Sequence, residues 1–215
     1  MVGAAGGIVM FLDHGAAAHR RARARMRDRD EGFVRVLDER GRALDIADPV
    51  DQPVAVDLED AGDISYVWTQ EGWLYLAVIL DLHSRRVIGW AVSNRMKRDL
   101  AIRALNMAIA LRRPPKGCIH HTDRGSQYCS HDYQKLLRQH GFQASMSGTG
   151  NCYDNAAVET FFKTIKAELL WQRSWRTRRD AEMAIFEYIN GFYNPRRRHS
   201  ALGWKSPLAF ERKAA

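Results

Sequence analysis

HHTDRGSQYCSHDYQKLLRQHGFQASMSGTGNCYDNAAVETFFKTIKAEL, residues 120 to 169, decides how the chain is read. CIHH, at 118–121, is a short strand that breaks at the turn TDRGSQY. HDYQKLLRQHGF reads as a helix closed by Gly141, FQASMS as a further strand, and SGTGN as a loop that leads into a second helix. On that helix Val158, Phe161, Phe162, Ile165 and Leu169 form an apolar stripe, while Asn155, Glu159, Lys163 and Lys166 share another face. Asp123 therefore stands at a strand end and Glu159 on a helix, with 35 residues between them. Carboxylates on two separate elements are a way for a fold to hold a divalent metal.

Upstream, DISYVW, WLYLAVILDL and RRVIGWAVS are three β-rich runs joined by the turns TQEG and HS. They predict an antiparallel meander with a middle strand buried on both faces. RDLAIRALNMAIALRR, from Arg98 to Arg113, puts Ala101, Ile102, Leu105, Ala108 and Ile109 on one face and stops at Pro114 and Pro115, as a helix covering the sheet would. Downstream, a helix from about Arg179 to Phe192 turns Ala184, Ile185, Tyr188 and Ile189 inward. YNPRRRHSALGWKSPLAF follows as an irregular basic segment bounded by Pro195 and Pro207.

This order of elements specifies an α/β fold, a mixed five-stranded sheet with helices on its faces, in the ribonuclease-H-like arrangement. In that arrangement the first and fourth strands are neighbours. Asp63 opens the first strand and Asp123 closes the fourth, so with Glu159 they make a candidate catalytic and metal-binding set. Such oxygen donors suit Mg²⁺ or Mn²⁺, and a pair of ions would activate a water or a 3′-hydroxyl and stabilise the leaving oxygen. Taken singly, each residue has a plainer reading: Asp63 and Asp123 as turn or cap residues, and Glu159 as the i, i+4 partner of Lys163.

Composition divides the chain near residue 60. Residues 1 to 62 hold nine Arg, no Lys and twelve Asp or Glu, for a net charge of −3, whereas the remainder carries +11 of the overall +8. Only Phe11 and Phe33 of the 21 aromatics precede Tyr66. The run HRRARARMRDRD lacks helical periodicity, and fits either a solvated arm or a nucleic-acid-binding one. Short apolar pieces at Phe33 to Leu37 and Val54 to Leu58 are strand candidates. Residues 1–60 form a poorly defined extension, and 61–215 a domain long enough to bury a core. The pI of about 9.7 favours a polyanionic partner.

Cys118, Cys129 and Cys152 have no pairing motif and read as free thiols in a reducing, cytoplasmic compartment. No set of Cys and His has zinc-ligand spacing. His120 and His121 read as packing groups or as support behind the ligands. The apolar stretch Val2 to Leu12 is too short to span a bilayer, so no membrane partner is expected.

Four ordered stretches, DISYV…EGWLYLAVILDLHSRRVIGWAVS, HHTDRGSQYCS, SGTGNCYDNAAVETFFKTIKAEL and FYNPRRRHSALGWKSPLAF, together resemble the catalytic core of DDE transposases of the insertion-sequence-three group, bacterial relatives of retroviral integrases. The likeness runs from Asp63 to the C-terminus. It implies that Asp63, Asp123 and Glu159 are the catalytic, metal-binding triad, using two Mg²⁺ or Mn²⁺ ions. It also implies cleavage of a DNA phosphodiester and transfer of the freed 3′-hydroxyl to another strand, with no covalent protein intermediate. Expected partners are element-end and target DNA, further copies of the chain, and a second-frame protein that recognises the ends.

Lys163 and Lys166 on the Glu159 face, and the cluster Arg196, Arg197, Arg198 and His199, are candidate DNA-backbone contacts. The chain departs from the family before Asp63. LEDAGD replaces the expected apolar approach with its tryptophan and threonine, which predicts a shortened first strand and a loosely held Asp63. Residues 1 to about 60 then read as a foreign extension. Two function classes follow, an active recombinase and an inactive DNA-binding remnant; a ribonuclease-H-type nuclease is permitted by the fold but not by the linear motifs.

Overall fold

The computed structural model describes residues 59–146 and 156–214, together with the backbone of two short strands before them, Phe33–Leu37 (β1) and Ala43–Ala47 (β2). These two pair antiparallel, Phe33 opposite Ala47. The expected strand at Phe33 to Leu37 is present, and its partner was not read from the sequence. The Arg-rich run before it, the apolar piece at Val54 to Leu58, and residues 147–155 with Cys152 and Asn155 lie outside the described residues.

The main sheet has five strands in the order β5-β4-β3-β6-β7. β3 (Glu59–Thr69), β4 (Gly72–Asp81) and β5 (Val87–Ser93) form the antiparallel meander, while β6 (Ile119–Thr122) adds parallel to β3 and β7 (Gln143–Met146) parallel to β6. β4 is buried on both faces as its apolar run requires, Leu76 and Val78 on one and Ala77 and Ile79 on the other.

Side chains alternate across the sheet, so each face meets its own helices. α1 (Arg98–Arg112) and α2 (His131–Gln139) cover one face through Leu100, Ala101, Leu105, Tyr133 and Leu137. α1 lies very close to β5. A Cβ on Gly89 would stand 2.2 Å from the Ala104 carbonyl oxygen, so only glycine fits there. Ser130 caps α2 by accepting from the Tyr133 N–H, and Gly141 ends the turn after it at φ +73.

α3 (Ala156–Ile165) and α4 (Arg178–Phe186) cover the opposite face. Val158, Phe161, Phe162 and Ile165 are all buried, as the stripe predicted, and Leu169 packs against them half-buried. Both helices widen into π-helical turns, Lys166–Leu170 and Glu187–Tyr193, which the sequence pattern did not reveal. Thr177 and Asp180 form a reciprocal capping box at the start of α4.

Two expectations are corrected. The first strand is not shortened: β3 spans 11 residues, with Asp63 inside it rather than opening it, and it pairs with β4 from Asp60 onward and with β6 from Glu59 to Gly62. Asp60 is tolerated there because its carboxylate bonds Nδ1 of His120, the residue opposite it on β6. Gly62 leaves room beside the same imidazole, where an added Cβ would lie 3.4 Å from Cε1.

The C-terminal segment is also more ordered than its composition implied. After a 3-10 turn at Ser200–Leu202, α5 (Pro207–Ala214) starts on a proline, the residue whose fixed φ suits a first helical position. Glu211 on α5 is buried and meets two arginines: Arg86 Nη1 at 2.8 Å, and Arg112, which also donates to Asp81 at 3.0 Å. Burial raises the Glu211 carboxyl, but the two guanidinium groups outweigh it and hold the group below the usual carboxylate range.

Candidate active site

The parallel ladder between β3 and β6 ends at the pair Gly62 and Thr122. The next residue on each strand is an aspartate, Asp63 and Asp123, so the two sit side by side where β6 stops and β3 continues. By alternation Asp63 shares the α3 face with Ala61 and Val67, and Glu159 lies in the first turn of α3.

Burial pushes the Asp63 carboxyl up to about 6; its bond from the Ile64 N–H lowers it, the charges of Asp123 and Glu159 raise it, and Lys166 lowers it again. All three carboxylates and Lys166 thus act on one locality. They do not yet form a closed ligand cage, and among the described residues no three His, Cys, Asp or Glu side chains form a group that could hold a metal ion. Two local bonds hold the aspartates as they are. Asp63 Oδ1 accepts from the Ile64 N–H at 2.7 Å, and Asp123 Oδ1 accepts from the Gly125 N–H at 2.8 Å. Three carboxylates whose charges meet in one locality, with Lys166 as the positive charge acting on Asp63, fit the donor chemistry of a hard divalent cation, and rotation about the side-chain bonds of the aspartates would free their oxygens.

Gly125 matters for this geometry. A Cβ there would stand 2.8 Å from Asp123 Oδ1 and 3.0 Å from Gln127 Oε1, so a side chain would displace the carboxylate. Beneath the site lies support that the sequence reading missed in part. Asp60 holds His120 Nδ1, and His120 Nε2 lies 2.7 Å from the Tyr133 hydroxyl; with Nδ1 carrying the proton, that hydroxyl donates. His120 is fully buried, so its reading as a packing group holds. Tyr128 stands edge-on to Tyr133 with 5.3 Å between centroids, and burial first, then Tyr133, Asp63 and Asp123, raise its hydroxyl pKa.

The candidate DNA-contact residues divide. Lys163 is exposed on α3, and Lys166 reaches toward Tyr66 as well as Asp63. Arg196 and Arg198 are exposed. Arg197 instead grips Glu168 with two nitrogens at 2.7 to 3.0 Å, while the Tyr188 hydroxyl donates to the same carboxylate at 2.6 Å. His199 is half-buried edge-on to Tyr193, and burial, helped by Arg197 and Arg85, pulls its imidazole down to about 4. It is neutral at pH 7 and brings no positive charge to a phosphate.

A mixed five-stranded sheet with helices on both faces, and carboxylates just past the point where the parallel pairing of two adjacent strands ends, defines the ribonuclease-H-like class. Two family models, both described as integrase core domain, match residues 60–152 and 140–207. The chain belongs to this integrase-core family, and it is similar in sequence to transposases of the insertion-sequence-three group. It is 52% identical over 153 residues to the transposase InsF for insertion sequence IS3A of Escherichia coli K12, covering 71% of this chain and 53% of that one. It is 48% identical over 161 residues to an uncharacterized 31 kDa protein of insertion element IS600 from Shigella sonnei, covering 75% and 59%. The chain spans a little over half the length of these relatives.

Among solved structures, a chain of the simian T-cell lymphotropic virus intasome superposes with a TM-score of 0.58 at 19% identity, covering 75% of this chain and 56% of that one. The HTLV-2 integrase catalytic core, solved with magnesium, superposes at 0.54 and 16%, covering 74% and 99%. These likenesses establish the fold. No helix among the described residues is long and apolar enough to cross a membrane.

Proposed function

We propose that this chain cuts a DNA phosphodiester and joins the freed 3′-hydroxyl to a second strand, with Asp63, Asp123 and Glu159 as the metal-binding carboxylates. The observation that carries the reading is the end of the β3 and β6 ladder, where Asp63 and Asp123 are the residues that follow on neighbouring strands and the charge of Glu159, in the first turn of α3, acts on Asp63. The names of the relatives, transposases and an integrase core with magnesium, support it.

Asp63, Asp123 and Glu159 would hold two Mg²⁺ or Mn²⁺ ions, which when bound supply charge stabilisation and a more acidic attacking water or hydroxyl. The protein's own part is placement. Pairing of β3 on both sides fixes the backbone up to Asp63, the Gly125 N–H orients Asp123, and Lys166 offers a positive charge beside them. Lys163, Arg196 and Arg198 hold backbone phosphates without reading bases. DNA ends, target DNA, further copies of the chain and an end-recognising partner protein complete the proposal, in a bacterial cytoplasm. The break in composition near residue 60 coincides with the start of the family match, so residues before it act as an extension foreign to the core.

The inactive-remnant reading drew its motive from a shortened first strand, and β3 is long and paired. The test is nicking of supercoiled plasmid and strand joining with Mg²⁺, Mn²⁺ or chelator. Loss of about a hundredfold or more on Asp123→Asn, with DNA binding retained, is expected. Cleavage that survives both the chelator and that substitution would sink the proposal.

A further inference from the structure

Tyr66, Trp68 and Trp73 form a contiguous aromatic patch on the β3–β4 hairpin that no described helix covers: they are 58%, 60% and 43% exposed. Trp73 stands edge-on to both others, 5.1 Å from Tyr66 and 4.8 Å from Trp68 between centroids. The patch lies on the α1 face of the sheet, because Tyr66 and Trp68 alternate with Val67, which packs into the α3 and α4 core.

The hairpin tip is held firmly. Gln70 N–H donates to the Trp175 carbonyl at 3.0 Å, Arg178 Nε donates to the Trp73 carbonyl at 3.0 Å, and the Arg178 N–H donates to Glu71 Oε2 at 2.9 Å. Exposed rings on a rigid tip lose little freedom on binding.

Charge points to the occupant. β6 ends at Thr122, so the edge of β3 beyond Gly62 has no described strand beside it. Lys166, from the opposite face, crosses that edge to place Nζ 5.6 Å from the centre of the Tyr66 ring, and the same charge acts on Asp63. Tyr66 lies three residues beyond Asp63, about 10 Å along an extended strand, or one to two nucleotides of single-stranded DNA. A second copy of this basic chain would bring its own positive charge to Lys166; a polyanion with flat bases complements both features.

We propose that Tyr66, Trp68 and Trp73 form a stacking platform for unpaired bases of a DNA strand next to the scissile phosphate, with Lys166 holding a phosphate where that strand crosses the edge of β3. The inference rests on the reading of the carboxylates above. It adds that the chain prefers a frayed or tailed end to a blunt duplex.

The probes are a blunt duplex and the same duplex with a short unpaired 3′ tail, bound to the full chain in chelator at fixed salt and read by tryptophan fluorescence. The tailed duplex should quench fluorescence and bind more tightly. Trp68→Ala should weaken tailed binding by about tenfold while sparing the blunt duplex, and Trp68→Phe should restore most of it. Melting curves will show that the variants fold. Equal losses on both duplexes, no quenching, or sedimentation showing that Trp68→Ala separates two copies would overturn the platform. Because binding is read without metal, a platform that fails beside intact metal-dependent nicking falls alone, while tail binding without metal-dependent nicking removes the catalytic reading instead.

Discussion

Asp60 and His120 are partners twice, paired in register on adjacent parallel strands and bonded through their side chains inside the sheet. His120 is fully buried, and its second nitrogen meets the Tyr133 hydroxyl at 2.7 Å. Asp60→Ala leaves a buried imidazole N–H without an acceptor. It should destabilise the fold by about 2 to 3 kcal/mol, measured by denaturant unfolding, whereas Asp60→Asn, which keeps an oxygen acceptor, should cost about half as much.

Gly125→Ala separates placement of Asp123 from stability. The added methyl would meet the ends of two side chains, Asp123 and Gln127, which can move aside. Melting temperature should stay within about 2 °C of the parent, while nicking falls by about tenfold or more because the carboxylate is turned. Unchanged nicking would show that this glycine does not set the geometry of Asp123.

The elevated Asp63 pKa sets a pH dependence. The metal-free fold favours the protonated carboxyl, so this contribution is complete below the unfolded value of 3.8 and is lost as pH rises through about 6. Without metal, Asp63→Asn should therefore be more stable than the parent at about pH 8, on the order of 1 to 2 kcal/mol, and the difference should vanish near pH 3. Added Mg²⁺ should raise the melting temperature of the parent above pH 6 and do little for the variant.

Arg197 and its neighbours should behave differently toward salt. Arg197 is committed to Glu168, so Arg197→Ala should lower stability by about 1 kcal/mol and leave the salt dependence of DNA binding unchanged. Arg196→Ala and Arg198→Ala should each reduce the slope of log affinity against log salt by about 1, measured by titration at several salt concentrations.

Much of this arrangement was legible where local pattern and burial agree. The apolar run of β4 and the stripe Val158, Phe161, Phe162 and Ile165 read directly onto the core, because period alone decides which side faces inward. The start of β3 did not. Asp60 looks like a strand breaker until His120, 60 residues away, supplies a bonding partner. A longer separation in sequence hid α5, whose buried Glu211 reads as surface charge until Arg86 and Arg112 are placed beside it. For the site, motif order located the carboxylates, but only the register of β3 against β6 put Asp63 next to Asp123. The ion pair that withdraws Arg197 from the basic cluster, and the burial that neutralises His199, depend on packing between α3 and the segment after α4.

The contact of Glu211 with Arg86 joins positions 125 residues apart. During translation the meander and α1 are made before Glu211, so Arg112 already has Asp81 while Arg86 still lacks its carboxylate. Burying Arg86 is therefore a late step that needs α5 in place, and any nascent intermediate that stops short of Glu211 holds an unmatched cation against the sheet.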